Sequence, residues 1–245
     1  MRFWIALAPL MILAGCGGGG TANNGSAAAG AAIANVPPPA GQQWTDVVAA
    51  TKDGFRMGNP DAPIKLVEYG SRTCPVCGQF GREATKPLEA LVKTGKLSWE
   101  FREFFVHGQP DFAPALLGRC GGPGPFFGLL EQMYVEQAPF EEKMSSPEGQ
   151  AIYQRMQGQQ PIEAAKAWDA LMGYTEFVKQ RGIPEDKARA CLSDQAAFDH
   201  MLQVMTDAQN NEGVNGTPTF FINDRIVDGV SSWSGLEPAL KAAGA

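Results

Sequence analysis

The stretch Ile64-Lys65-Leu66-Val67-Glu68-Tyr69-Gly70-Ser71-Arg72-Thr73-Cys74-Pro75-Val76-Cys77 changes backbone character midway. Its first half is short, apolar and β-branched, carries one acid, and follows the turn-rich Gly58-Asn59-Pro60-Asp61-Ala62-Pro63. That pattern predicts a central strand. From Cys74 to about Val92 the apolar spacing becomes helical, and Leu97 to Phe104 then alternates apolar and polar residues at period two. Strand, helix and strand in this order predict a parallel pair joined by a crossover helix.

Two cysteines three apart at a helix start lie on one face, with α-carbons roughly 5 Å apart, within disulfide range. Pro75 suits the first helical turn, so Cys74 sits where unpaired N–H groups and the positive end of the helix dipole favour a thiolate. Cys74 is therefore the candidate attacking or attacked sulfur. Cys77, one turn inside, is the candidate resolving thiol. Half of a zinc site and a plain structural bridge are the competing readings. Zinc usually needs four ligands, yet the chain has only His107 and His200 and no second C-x-x-C. Both histidines read as surface or helix-packing residues.

From about Pro110 to Asn210 the strand signal nearly vanishes, and helical spacing recurs at Phe126–Val135, Ile162–Lys179, Pro184–Leu192 and Gln195–Ala208. The run Gly121-Gly122-Pro123-Gly124-Pro125 interrupts any helix after Cys120. Strand character returns at Thr219-Phe220-Phe221-Ile222. A tight Asn223-Asp224 turn, a second strand over Arg225–Val230 and a closing helix from about Ser234 to Ala243 follow.

At the other end, Arg2 precedes an apolar run from Phe3 to Leu13 that is too short to span a bilayer, which predicts an export signal over residues 1–15. Leu13-Ala14-Gly15-Cys16 resembles the bacterial lipobox, whose cysteine is acylated, so Cys16 is the candidate lipidation site. A soluble export signal is the alternative. Residues 16–41 are rich in Gly, Ala, Ser and Asn and end near three prolines, which predicts a flexible tether reaching about 25–30 Å. The expected division is then a first core part over 42–109, a helical insertion over 110–210 and a second core part over 211–245.

A net charge of -6 with scattered basic residues leaves no electrostatic footprint for nucleic acid. Outside the cytosol, the five cysteines should be paired or chemically employed. Cys16 is assigned to lipid, which leaves the C-x-x-C pair and the distant Cys120 and Cys191.

The Gly58–Pro63 turn, the strand ending near Glu68, the Cys74–Cys77 motif and Gly216-Thr217-Pro218-Thr219-Phe220-Phe221-Ile222-Asn223 together resemble the DsbA-like branch of the thioredoxin superfamily, from about Asp46 to the C-terminus. The resemblance implies an α/β thioredoxin-like fold with an inserted α-helical domain between its second and third core strands. It implies that Pro218 is a cis-proline beside the active pair. Thr217 and Pro218, with Pro75 and Val76, would then meet an extended substrate segment. It gives Glu68 the role of a buried acid relaying a proton for Cys77, and Cys120 with Cys191 that of a second, structural disulfide. A second redox centre is the alternative there. The best-known oxidase motif of the branch has histidine where this chain has Val76, so the direction of electron flow is left open.

The leading functional expectation is an extracytoplasmic thiol:disulfide oxidoreductase introducing disulfides into exported proteins, with a disulfide reductase as the alternative. An isomerase ranks last among the redox readings. A copper-binding or holdase lipoprotein is the rival from another class. No cofactor or metal is expected beyond the Cys74–Cys77 redox pair. The expected partners are exported proteins with thiols or disulfides, a membrane redox partner, and the membrane itself through the lipid anchor on its periplasmic face.

Overall fold

The computed structural model describes Met1 and residues 33–245. The export signal beyond Met1, the lipidation residue Cys16 and the tether up to residue 32 lie outside the described residues. The core is one six-stranded sheet in the order β1-β2-β4-β3-β5-β6. The strands are β1 (Val48–Ala50), β2 (Phe55–Gly58), β3 (Ile64–Gly70), β4 (Leu97–Glu103), β5 (Thr219–Ile222) and β6 (Arg225–Ile226). The pair β3 and β4 is parallel and connected by helix α1 (Pro75–Lys93), as the sequence pattern predicts. Every other pairing is antiparallel.

Between β4 and β5 lies the insertion of eight helices: α2 (Gln109–Gly118), α3 (Phe126–Val135), α4 (Ala138–Ser145), α5 (Pro147–Arg155), α6 (Pro161–Met172), α7 (Tyr174–Lys179), α8 (Glu185–Leu192) and α9 (Gln195–Asp207). Helix α10 (Trp233–Ala242) closes the chain. The helix expected over Ile162–Lys179 is two, because Gly173 adopts a left-handed conformation (φ 86°) that ends α6. The final hairpin turns through Asn223 and Asp224, both at positive φ, as a two-residue turn of that composition favours. Its second strand stops at Ile226, short of the expected Val230.

Three hydrophobic clusters are formed among the described residues, the smallest of them joining Tyr69 and Phe221 of the sheet to Val204 of α9. One packs α1, α3 and α10 against the sheet through Phe80, Leu88, Phe101, Phe126 and Leu236. Another lies within the insertion around Leu116, Trp168, Tyr174 and Phe198. Phe126 of α3 stacks on Phe55 of β2 at 4.0 Å between ring centroids, so the insertion is fastened to the sheet by aromatic packing. Phe80 of α1 meets Phe220 of β5 at 4.6 Å, which fixes the C-x-x-C helix relative to the strand that follows Pro218.

One pair of strands went unread in the sequence, and one expectation needs correction. The hairpin of β1 and β2 lacks a sequence signature because its strands are only three and four residues long. The tether predicted to extend to residue 41 ends earlier. The Val36 N–H donates to the Thr94 carbonyl at 2.9 Å, the Trp44 indole N–H donates to the Val36 carbonyl at 2.7 Å, and Ile33 packs on the core. The reason is local: Gly95 lies under Val36, where a β-carbon would come within 2.4 Å of the Val36 carbonyl oxygen, so only glycine admits the docked segment.

Cys120 and Cys191 form a disulfide that ties the end of α2 to α8 across a separation of 71 residues. In the chain-entropy account, opening a loop of that length costs about 4 kcal/mol. Cys120→Ala/Cys191→Ala is expected to lose about 2–4 kcal/mol in a denaturant melt, while its Cys74–Cys77 chemistry persists.

Candidate active site at the start of helix α1

Cys74 occupies the N-cap of α1 with extended backbone (φ -74°, ψ 120°), and Pro75 is the first helical residue. Both motif cysteines are thiols and both are buried, Cys77 completely. The Thr217–Pro218 peptide bond is cis, as the resemblance implies, and the Cys74 thiol donates to the Thr217 carbonyl at 3.5 Å. The loop before β5 and the first turn of α1 therefore meet at the sulfur. Pro75 is exposed, Val76 is 43% exposed and Thr217 is half-buried, so these three form an accessible rim beside the buried Cys74 sulfur.

The two sulfurs differ in acidity. The Cys74 thiol is lowered from 9.0 to about 5, first by a hydrogen bond from Cys77. Burial opposes the shift, and the Thr217 hydroxyl and the backbone N–H groups of Cys77 and Val76 add to it. Cys77 is pushed well above its ordinary value by burial, then by its bond to Cys74 and the charges of Cys74 and Glu68. One member of the pair is set up as a thiolate and the other as a thiol.

Glu68 lies on β3 between Phe101 of β4 and Phe220 of β5, and it is fully buried. The Trp99 indole N–H donates to its Oε2 at 3.1 Å, while Oε1 has no partner. Burial raises its carboxyl from 4.5 to about 8; the Trp99 bond opposes this, and the charges of Cys74 and Glu103 add to it. A buried acid that titrates near neutrality can carry a proton to or from a thiolate.

The loop between β3 and α1 is held by residues that sequence reasoning missed. Gln137, at the head of α4, donates its amide to the carbonyls of Cys74 at 2.8 Å and Arg72 at 3.2 Å. Gly78 leaves room for it, since a β-carbon there would fall 1.8 Å from the Gln137 side-chain oxygen. Arg72 is buried in an ion pair with Glu103 at 2.9 Å and lies over the Phe126 ring at 5.0 Å. Asp111, in the first turn of α2, accepts from the hydroxyls of Ser71 and Thr73. None of these contacts follows from spacing, because each joins the loop to residues 31 to 65 positions away, in β4 or in the insertion. An acid in the first turn of a helix was the only available hint for Asp111. Among the described residues no group of three or more His, Cys, Asp or Glu side chains gathers as a metal site.

The family model for thioredoxin matches residues 50–242. The chain belongs to the thioredoxin family. A protein-disulfide isomerase from Novosphingobium aromaticivorans is 30% identical, superposes with a TM-score of 0.71, and is matched over 76% of this chain and 95% of its own. The alpha-DsbA1 of Wolbachia pipientis shares the fold at a TM-score of 0.60 and 20% identity, over 80% of this chain and 94% of its own. The disulfide bond formation protein D of Bacillus subtilis is 20% identical over 189 residues, covering 76% of this chain and 74% of that protein. A Rickettsia bellii protein for which protein-disulfide oxidoreductase activity has been put forward is 25% identical over 168 residues. This thioredoxin-family chain covers 56% of that relative's length.

Proposed function

We propose that the protein is an extracytoplasmic thiol:disulfide oxidoreductase that introduces disulfides into exported proteins through Cys74 and Cys77. The observation that carries this reading is the opposed acidity of the two sulfurs, Cys74 lowered to about 5 and Cys77 raised. A stabilised Cys74 thiolate stabilises the reduced pair, and a stable reduced pair makes its disulfide a strong oxidant.

In the oxidised protein, a substrate thiolate attacks Cys74, the Cys74–Cys77 bond breaks, and Cys77 leaves with the electron pair. Glu68 supplies the proton that Cys77 needs beneath the surface. A second substrate thiol then attacks the mixed disulfide at the substrate sulfur. The substrate leaves oxidised and Cys74 remains as thiolate, held by Cys77 and the Thr217 loop. Thr217, Pro75 and Val76 supply the rim on which an extended segment lies during the exchange, and the buried cis Pro218 sets the backbone of Thr217 beside it. A membrane redox partner takes the electrons from the dithiol and restores the disulfide. Cys16 anchors the protein by lipid on the periplasmic side, and the Cys120–Cys191 bridge braces the insertion.

Equilibration with glutathione, read by mass-spectrometric thiol counting, tests direction. A potential of about -120 to -180 mV, with stoichiometric oxidation of a dithiol peptide, is the expected result. A potential near about -270 mV would instead assign a reductase.

A further inference from the structure

The carbonyls of Arg72 and Cys74, on either side of Thr73, share one donor. The Gln137 amide reaches the Cys74 carbonyl at 2.8 Å and the Arg72 carbonyl at 3.2 Å, which uses both of its protons. The Cys74 carbonyl also accepts the Gly78 N–H at 3.0 Å, the bond that opens α1. Among the described residues no other donor reaches the Arg72 carbonyl. Gln137 is 2% exposed, and its segment is clamped on both sides. Arg82 of α1 donates to the Tyr134 carbonyl at 2.7 Å, and Arg181 pairs with Glu136 at 2.5 Å.

Gly78 is the other half of the arrangement. Inside a helix glycine is disfavoured relative to alanine. A β-carbon at this position would fall on the side-chain oxygen of Gln137, and its three nearest neighbours would all be side-chain atoms. Helix α1 thus forgoes its better residue where the amide enters. The consequence reaches the sulfur. The Cys77 thiol and the N–H groups of Val76 and Cys77 favour a thiolate at Cys74, and all of them lie in the turn whose opening carbonyl Gln137 holds. The amide also turns its positive N–H end to the Cys74 main chain. A thiolate responds to both effects, and a neutral disulfide responds to neither.

We propose that Gln137 is a positioning residue that sets the redox balance of the Cys74–Cys77 pair, by favouring its dithiol state over its disulfide. This deepens the oxidoreductase reading and rests on it. In exchange with glutathione, two glutathione thiols and the Cys74–Cys77 disulfide give one glutathione disulfide and the dithiol, with two electrons passing to the pair. Charge at Cys74 exists on the dithiol side alone. An amide that favours that charge therefore makes the disulfide a stronger oxidant.

Two variants of the full chain break the contact from opposite sides. Gln137→Leu removes both donors and keeps the bulk, whereas Gly78→Ala leaves Gln137 in the chain and displaces its amide. Each should lower the equilibrium constant for reduction of the pair by glutathione about tenfold, which is about 30 mV toward a weaker oxidant. Each should also raise the midpoint of Cys74 alkylation by about one pH unit. The double variant should shift no further than either single one, because both act through one contact. Where leucine prevents folding, Gln137→Glu keeps the shape and, once ionised, offers neither carbonyl a donor. An unchanged potential and midpoint in folded Gln137→Leu or Gln137→Glu overturns the proposal, and so do shifts that add in the double variant. Wild-type protein that exchanges with no thiol overturns the oxidoreductase reading instead, and the Cys74 midpoint alone then decides the role of Gln137.

Discussion

Cys77→Ser is expected to turn a catalyst into a trap. Cys74 keeps its accessible rim and its thiolate, so it still enters mixed disulfides with a substrate disulfide, but no neighbouring thiol remains to displace the substrate. Turnover should fall by about three orders of magnitude or more, as for other residues that act as a unit, while a covalent adduct accumulates on non-reducing gels. The same position separates two causes of Cys74 acidity. The first cause of its lowered value is the hydrogen bond from Cys77. Serine preserves a donor there and alanine does not, so the Cys74 thiol should remain depressed in Cys77→Ser and rise toward its ordinary range in Cys77→Ala.

Glu68→Gln is expected to stabilise the protein at alkaline pH and slow it at neutral pH. The Glu68 carboxyl is raised from 4.5 to about 8 in the folded chain, so the folded state binds its proton more tightly than the unfolded state. Its contribution is fully present below about pH 4.5 and is lost as pH rises through about 8. The full shift corresponds to about 3–5 kcal/mol. Glutamine has the same shape, keeps an acceptor for Trp99 and cannot ionise, so it avoids that loss. Denaturant melts of reduced wild type and Glu68→Gln should therefore agree near pH 4.5 and separate progressively toward pH 8.5, with the variant the more stable. Loss of the proton carrier should slow release of Cys77 by about 10²-fold at pH 7. A variant that loses stability with pH as wild type does would show that Glu68 is already ionised in the fold.

The central part of the fold was legible because several levels of the sequence agree there. The β-branched run of β3, the proline one residue inside α1 and the alternation of β4 each specify their own element, and their order specifies the parallel crossover. The loss of strand signal and recurring helical spacing marked the insertion, although Gly173 divides a helix that periodicity reads as continuous. The short β1 and β2 pair by register with β4 and with one another, a tertiary effect that propensity over three or four residues does not convey. Docking of Val36 was hidden for a similar reason, since it depends on space above Gly95.

At the site, Cys74, Cys77, Glu68, Thr217 and Pro218 were all nominated from the sequence, and the structure brings them together around one sulfur. Their environment was not legible. Gln137 and Asp111 arrive from the insertion and His107 from the segment between β4 and α2, 63, 38 and 34 residues from the loop atoms they touch. No local pattern records such a meeting. The insertion therefore does more than cover the sheet: it grips both sides of the loop that carries Cys74, at the Cys74 carbonyl through Gln137 and at the Thr73 hydroxyl through Asp111.

The most direct test is the ionisation of Cys74 in the reduced protein, followed by thiolate absorbance near 240 nm and by alkylation rate from about pH 3 to 10. A single reactive thiol with a midpoint near 5, and Cys77 silent throughout that range, is the predicted result. A midpoint near 9 for Cys74, or two thiols titrating alike, would contradict the division of labour between the sulfurs on which the redox chemistry depends.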